Sequence, residues 1–480
     1  MQRFEHVGVI EGYYGPKWSH ADRLYVIERI GAWGMNRYYY APKDDALHRA
    51  RWREPYPKRD LDEFRELVDR GERAGVDVGF ALSPGLSIRY ASADDRRALL
   101  DKFRGFVDLG ARRLCLALDD VPTRLQHEED QEAFDSLGDA HAALAVEIAQ
   151  ALGADVGLYV VPTDYLGVGS SPYLETLGAA LPPEIEIGWT GRTVVSPTIE
   201  SREAQARSAA LERRVLIWDN VPVTDGPMRA MLHMGPYAGR AADLPEYASG
   251  ILLNPMEHAH ASCVALYTAS RYAADPAGYD PETAWNEAIE EVGDGEPEAF
   301  RLFVEAHRFS PLHTEDRDRG LEARFAEIAN ALEDGRDFSD LLLEVRELAQ
   351  RRVQVAESLR AGLTDRRLAA EIDPWLESHE TESRRILVSI EALLEILADA
   401  PQNERLFAFM RMQGRLSLEP DNGRVSYGPR RVLYPQLTSM VEDEMRLSVE
   451  PTLIRDHCLA DEILEFVEDL AMFALSDPDA

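Results

Sequence analysis

Leu114-Cys115-Leu116-Ala117-Leu118-Asp119-Asp120 is an apolar run that stops abruptly at two adjacent acids. Such a run suits a buried strand. The acids then stand at its C-terminal tip, the end at which a parallel barrel keeps its chemistry. Neighbouring side chains of a strand point to opposite faces, so aiming both carboxylates into one cleft requires a turn just past the last ladder bond. Held together there, two acids resist both being ionised. The competing reading is a helix N-cap, because aspartate is a favoured cap and Val121-Pro122-Thr123 offers a helix opening. The pair alone leaves both readings open, and its surroundings have to decide.

Seven further short runs share the texture of Leu114–Leu118: Val7–Ile10, Arg37–Tyr40, Val76–Leu82, Val156–Val161, Ile185–Trp189, Val215–Trp218 and Ile251–Leu253. Each ends in polar, aromatic or Gly/Pro residues. Amphipathic stretches such as Leu61–Val68 and Ala142–Ile148 separate them. Units of roughly 30–40 residues repeated over about 270 residues predict an α/β fold, an eightfold (β/α)8 TIM barrel, spanning 1–275. Beyond Tyr272 the texture changes. Pro276, Pro281 and the acidic stretch Glu290–Glu296 mark a junction, and the patterns Leu341–Leu363, Ile386–Leu397 and Ile463–Leu475 predict an all-α helical bundle domain over 276–480. Met410 and Met412 read as packing. The stretch Gly423–Pro435, with Arg424, Tyr427, Arg430, Arg431 and Tyr434, reads as an inter-helix connection, a binding loop being the alternative.

The chain carries 86 acidic and 52 basic side chains, a net charge of −34, which disfavours nucleic acid, anionic membranes and polyanionic substrates as partners. Lysine is confined to Lys17, Lys43, Lys58 and Lys102. Three widely spaced cysteines, Cys115, Cys263 and Cys458, offer neither a disulfide framework nor zinc spacing. The start Met1–His6 lacks the basic and apolar segments of a signal peptide, and no segment approaches a membrane span. The expected location is cytoplasmic. His258 and His260 suggest a metal site, but i and i+2 positions diverge on a helix, and two exposed polar residues are the preferred account. Asp44-Asp45 reads as a helix cap after Pro42.

The strand ends supply the remaining signal. Glu11-Gly12-Tyr13-Tyr14-Gly15-Pro16-Lys17-Trp18-Ser19, Tyr40-Ala41-Pro42-Lys43-Asp44-Asp45, Leu118-Asp119-Asp120, Pro162-Thr163-Asp164-Tyr165, Trp189-Thr190-Gly191, Trp218-Asp219-Asn220 with Asp225, and Leu253-Asn254-Pro255-Met256 follow one another along the barrel. This ordered series resembles glycoside hydrolase family 84, the β-N-acetylglucosaminidases that include the protein O-GlcNAcases, over roughly residues 7–290. One departure is visible: Lys17 separates Pro16 from Trp18, where the family places proline directly before the tryptophan.

The resemblance implies a retaining exo-glycosidase without metal or organic cofactor, acting on a glycoconjugate that bears N-acetylglucosamine. Adjacent acids span the usual two-carboxylate arrangement poorly. They fit substrate assistance, in which the sugar's own acetamido oxygen attacks the anomeric carbon. By resemblance Asp119 holds the acetamido N–H and Asp120 is the general acid and base. Tyr165 would donate near the acetamido oxygen, and Trp218 would wall the sugar. Asn220 resembles the asparagine beside the catalytic pair, Asp225 the acid that clasps the 4- and 6-hydroxyls, and Asn254 the amide at the 3- and 4-hydroxyls. Gly12 would offer backbone at the 3-hydroxyl, and Lys43 a point charge. Two alternatives stand beside this: the same chemistry on polysaccharide or mucin chains, as in hyaluronidases, and a non-catalytic N-acetylglucosamine-binding barrel. A homodimer through the helical domain is left open.

Overall fold

The computed structural model describes residues 3–310, 318–418, 434–441, 444–450 and 459–476. All eight runs become parallel strands: β1 (His6–Glu11), β2 (Arg37–Tyr40), β3 (Asp77–Leu82), β4 (Arg113–Ala117), β5 (Gly157–Val161), β6 (Glu186–Trp189), β7 (Val215–Asp219) and β8 (Ala248–Leu253). They pair in chain order, and β1 closes on β8 with Val7 opposite Ile251 and Val9 opposite Leu253. Closure removes the sheet edges that an open arrangement would leave.

Serines set where several outer helices begin. Ser19, Ser92 and Ser136 each precede an aspartate by three residues, and each side chain accepts the backbone N–H of that residue, Asp22, Asp95 or Asp139. The helices His20–Ala32, Ala93–Asp108 and Leu137–Leu152 thereby have a first-turn donor satisfied and an acid at the positive end of the dipole. At the other end of Lys58–Ala74, Gly75 takes a φ of 73°, the left-handed conformation that stops a helix at little cost to glycine.

Inside the barrel, Ile10, Tyr39, Ala81, Cys115, Ala117, Tyr159, Val161, Leu216, Trp218 and Leu252 form one buried cluster. Aromatic rings on β2, β5 and β7 are matched by alanine and cysteine on β3 and β4, so large and small side chains fill the taper together. These residues lie two apart along their strands, which fixes the inward-facing set for everything downstream.

The chain divides into two compact units. One runs through the barrel to Trp285, apart from Pro227–Gly235, and takes in Tyr434–Glu450; the other gathers Pro227–Gly235 and the helices from Asn286 onward. In the second, Arg319–Glu333, Ser339–Gly362, Arg366–Leu397, Gln402–Leu416 and Leu459–Ser476 share a core that includes Leu321, Val345, Ile386, Leu393, Ile463 and Val467. Met412 is buried there as expected, whereas Met410 is exposed.

Two strands depart from the all-helical expectation for this part of the sequence. β9 (Tyr434–Val441) and β10 (Glu444–Glu450) form an antiparallel hairpin. The strict alternation Met445-Arg446-Leu447-Ser448-Val449 is the period-2 signal that announces it. Most of the Gly423–Pro435 stretch, and Cys458, lie outside the described residues. Among the described residues no helix is long and apolar enough to cross a membrane.

Two buried histidines of the barrel unit give it a defined acid sensitivity. Burial pushes His48 down to about 4 and His141 down to about 3; His141 sits between the hydroxyls of Tyr90, at 2.7 Å, and Tyr173, at 2.8 Å. Both are held neutral when folded, so below about 6.5 the unfolded chain binds protons that the folded chain does not. Stability that is complete above pH 6.5 is therefore lost as the pH falls toward the folded values. The urea midpoint should drop between pH 6.5 and 4.5, each histidine accounting for up to about 2–3 kcal/mol. His141→Gln should flatten that slope by about one proton; an unchanged slope would show that His141 does not govern it.

Candidate active site

The two-residue period carries the inward direction past the strand ends. Counting on from Ile10 gives Gly12, from Tyr39 and Ala41 gives Lys43, from Cys115 and Ala117 gives Asp119, from Tyr159 and Val161 gives Tyr165, from Leu216 and Trp218 gives Asn220, and from Leu252 gives Asn254. All of these, with Asp120 and Asp225, line one cavity of about 1050 Å³ at the C-terminal mouth of the barrel. Every sequence-predicted site residue is therefore brought together.

The outward positions have another fate. Glu11, fully buried, accepts Arg23 at 2.7 and 2.8 Å, the Tyr38 hydroxyl at 2.5 Å and the Trp18 backbone N–H at 3.1 Å. Asp219 accepts Arg240 at 2.6 and 2.8 Å and Tyr237 at 2.6 Å. A forked guanidinium engages both oxygens of each carboxylate and the tyrosine hydroxyls add to it, so these acids brace the barrel mouth.

Asp119 is held differently. Lys43 Nζ meets its Oδ2 at 2.6 Å, and the lysine side chain is only 3% exposed. Burial opposes the charge on Lys43, but Asp119, then Asp120 and Tyr14, outweigh it and raise the ammonium above its ordinary value. Asp119 Oδ1 is buried with no protein hydrogen-bond partner. A buried acceptor left unmade costs about 1–3 kcal/mol, which makes this oxygen a ready receiver for a ligand N–H.

Asp120 breaks the alternation. Its φ is 52°, a left-handed conformation that non-glycine residues seldom adopt, and this twist turns a side chain of the outward set into the mouth. There its Oδ2 accepts the Tyr14 hydroxyl at 2.7 Å and its Oδ1 the Tyr165 hydroxyl at 3.1 Å. Burial, then Asp120 and Asp119, push the Tyr165 phenol well above its ordinary value, so it remains a donor. The helix-capping alternative for the acid pair fails: the next helix begins only at Glu128.

Opposite lies a web of amides. Asn220 Oδ1 accepts Trp218 Nε1 at 3.0 Å and Asn254 Nδ2 at 2.8 Å, its Nδ2 donates to Val194 O at 2.5 Å, and Asn254 Oδ1 accepts the Gly12 N–H at 3.1 Å. Asn220 thus orients Trp218 and Asn254; among the described residues no hydrogen bond joins it to either acid. Asp225 Oδ2 accepts the Tyr14 backbone N–H at 2.9 Å, and burial raises its carboxyl above the ordinary value.

Two expectations are corrected and two residues are added. Asp45 caps no helix; it is buried and accepts Tyr40 at 2.6 Å, Tyr56 at 3.0 Å and the Leu47 N–H at 2.8 Å. His260 is buried and stacked on Tyr25 with ring centroids 3.9 Å apart, because the helix Ala259–Ala274 is buried nearly all round. Tyr14 and Arg49 were not singled out in the sequence, yet Arg49 donates to the Tyr14 hydroxyl at 2.8 Å beside Asp120. Tyr14 carried a signal, its place in the first strand-end motif. Arg49 carried none, since arginine in this chain is too frequent to stand out.

The β-N-acetylglucosaminidase family pattern matches residues 7–305. The chain belongs to that family of glycoside hydrolases. The rat and mouse proteins named protein O-GlcNAcase are each 34% identical over 267 residues, covering 54% of this chain and 29% of theirs. The chain therefore spans under a third of the length of those relatives. An O-GlcNAc hydrolase variant of Thermobaculum terrenum superposes with a TM-score of 0.79 at 28% identity, over 98% of this chain and 94% of that one.

For this member of the β-N-acetylglucosaminidase family, Gly12 admits no side chain. A Cβ there would lie 2.3 Å from Trp218 Cζ2, inside van der Waals contact with a ring fixed by Asn220. Gly12→Ala should cost about 1–3 kcal/mol as overpacking and alter the near-UV circular dichroism of the tryptophans. Unchanged stability and spectrum would mean that the indole is free to move.

Proposed function

We propose that the protein is a retaining exo-β-N-acetylglucosaminidase of O-GlcNAcase type, removing terminal β-linked N-acetylglucosamine from glycoproteins or glycopeptides through an oxazoline intermediate. The observation that carries this is the asymmetry of Asp119, a residue that lines the cavity: one oxygen is pinned by Lys43, and the other is buried and has no protein hydrogen-bond partner. That oxygen suits the acetamido N–H. Drawing on this proton pushes electron density to the acetamido carbonyl oxygen, which attacks the anomeric carbon while the anionic Asp119 offsets charge on the oxazolinium. Asp120 protonates the departing oxygen, then takes a proton from the water that opens the oxazoline. Tyr165 steadies Asp120 and stands beside the acetamido group, and Trp218 walls the pocket. Asn254 and the Gly12 backbone serve the 3-hydroxyl side. Asp225 grips the 4- and 6-hydroxyls, which closes the pocket to internal sugars. Membership of the family and the names of the relatives support the same substrate.

The division between the acids is testable by leaving group. Asp120→Asn should cut turnover of a glycopeptide or alkyl glycoside by about 10²–10⁴, the usual worth of general acid catalysis, and that of an activated aryl glycoside far less. Asp119→Asn should damage both, because ring closure precedes any demand from the leaving group. Equal losses across leaving groups for Asp120→Asn would remove it as the acid.

Asp225 sets the second test. Asp225→Ala should lose roughly 2–4 kcal/mol of transition-state stabilisation, as for other charge-assisted contacts, and weaken rejection of the 4-epimer, N-acetylgalactosamine. Digestion of a defined β-linked oligosaccharide by the native protein should release single sugars from one end. Early mid-length fragments would instead indicate an open cleft and a polysaccharide-cleaving enzyme.

A further inference from the structure

We infer that Arg49 is a positioning residue for the general acid, acting on Asp120 through Tyr14, an inference that rests on the catalytic reading above. Two features of Asp120 need an explanation that the sugar-contacting residues do not supply. Its backbone sits in the left-handed region, a conformation that persists in a non-glycine residue only when its neighbours over-determine it. Its side chain meets a tyrosine hydroxyl at each oxygen, and a hydroxyl can rotate its hydrogen elsewhere.

Arg49 reaches both features. One guanidinium nitrogen donates to the Tyr14 oxygen at 2.8 Å; the other lies 3.5 Å from the Asp120 carbonyl oxygen, at the long end of hydrogen bonding. An N–H pointing into the Tyr14 oxygen occupies a lone pair and repels the phenol's own hydrogen. That hydrogen is then directed to Asp120 Oδ2, 2.7 Å away. The same donation polarises the phenol and makes it a stronger donor once Asp120 has given up its proton. The Tyr14 backbone N–H meanwhile holds Asp225, so the one residue that Arg49 fixes stands between the acid and the proposed hydroxyl clasp.

Arg49 is itself rigidly carried. On one side of the segment bearing it, Lys102 Nζ donates to three backbone carbonyls, Leu47 at 2.7 Å, Trp52 at 3.0 Å and Glu54 at 2.6 Å. On the other, the His48 ring bonds Ala81 O at 2.8 Å and His48 O accepts the Ser83 N–H at 3.0 Å. A loop clamped from both sides of position 49 presents the guanidinium at a fixed height, as a group that orients another must be presented.

The experiment compares Arg49→Met, Tyr14→Phe and the double variant on an activated aryl N-acetylglucosaminide and on an alkyl or glycopeptide substrate. Thermal melting first establishes that each variant folds. Arg49→Met should lower kcat on the poor-leaving-group substrate by about 10–100-fold, part of the roughly 10²–10⁴ that a well-placed acid contributes. The activated substrate should lose less than about 5-fold, with KM nearly unchanged for both. Tyr14→Phe should reproduce this pattern, and the double variant should be no worse than the more damaged single one, since both remove the same linkage. Arg49→Lys keeps a donor for Tyr14 but not the fork, and should recover part of the loss. Multiplying losses in the double variant, equal damage to both substrates, or a rise in KM alone would each overturn the inference while leaving the catalytic reading intact. Absence of turnover by the native protein on either substrate would overturn both.

Discussion

The period of two along a β-strand is the constraint on which the site depends. Once closure sets Ile10, Tyr39, Cys115, Tyr159, Leu216 and Leu252 inward, the residues two or four further along are committed to the mouth before any turn is made. Gly12, Lys43, Asp119, Asn220 and Asn254 inherit their direction from the core beneath them. This explains why a pocket drawn from many separate loops has a consistent geometry: each of those side chains is a short extension of a rigid strand. A one-residue slip at β4 would replace Asp119 with Leu118 in the cavity and bury the acid behind the barrel wall.

Asp120 is the exception, and it shows what adjacency costs. Two neighbouring acids cannot both follow the alternation, so the second needs a backbone twist that the fold must hold in place. The surroundings supply it with two tyrosine hydroxyls and a nearby guanidinium rather than with a capped helix, and the following segment stays irregular until Glu128. Strain concentrated at that one residue is tolerable because the strand behind it is buried and paired on both sides.

The barrel was legible because its signals are local and repeated: eight short apolar runs, amphipathic stretches between them, and polar motifs at the strand ends. The pocket residues were legible through the resemblance of the ordered strand-end motifs to a known family, no single motif being enough to name one. What escaped was held by tertiary contact. Asp45 looks like a cap because aspartate after proline commonly is one; only the folded chain brings Tyr40 and Tyr56 onto it. His260 looks polar beside His258, yet its helix is buried on nearly every side. Arg49 is one arginine among many, and the fact that distinguishes it, its distance from Tyr14, is not written in sequence. The hairpin of β9 and β10 did have a period-2 signal, but a short one between helical patterns.

The chemistry of the cations completes the picture. This chain uses arginine almost everywhere, and at Glu11 and Asp219 the guanidinium fork engages the carboxylate through two nitrogens, which suits acids whose work is to brace. At Asp119 the same fork would have engaged both oxygens, Oδ1 included. The partner there is instead Lys43, one of only four lysines, a compact charge that binds Oδ2 alone. The choice keeps Asp119 balanced electrostatically inside a buried site and still leaves Oδ1 as an acceptor. An acid can be stabilised by its neighbours or kept available to a substrate, and a point charge on one oxygen is the arrangement that allows both.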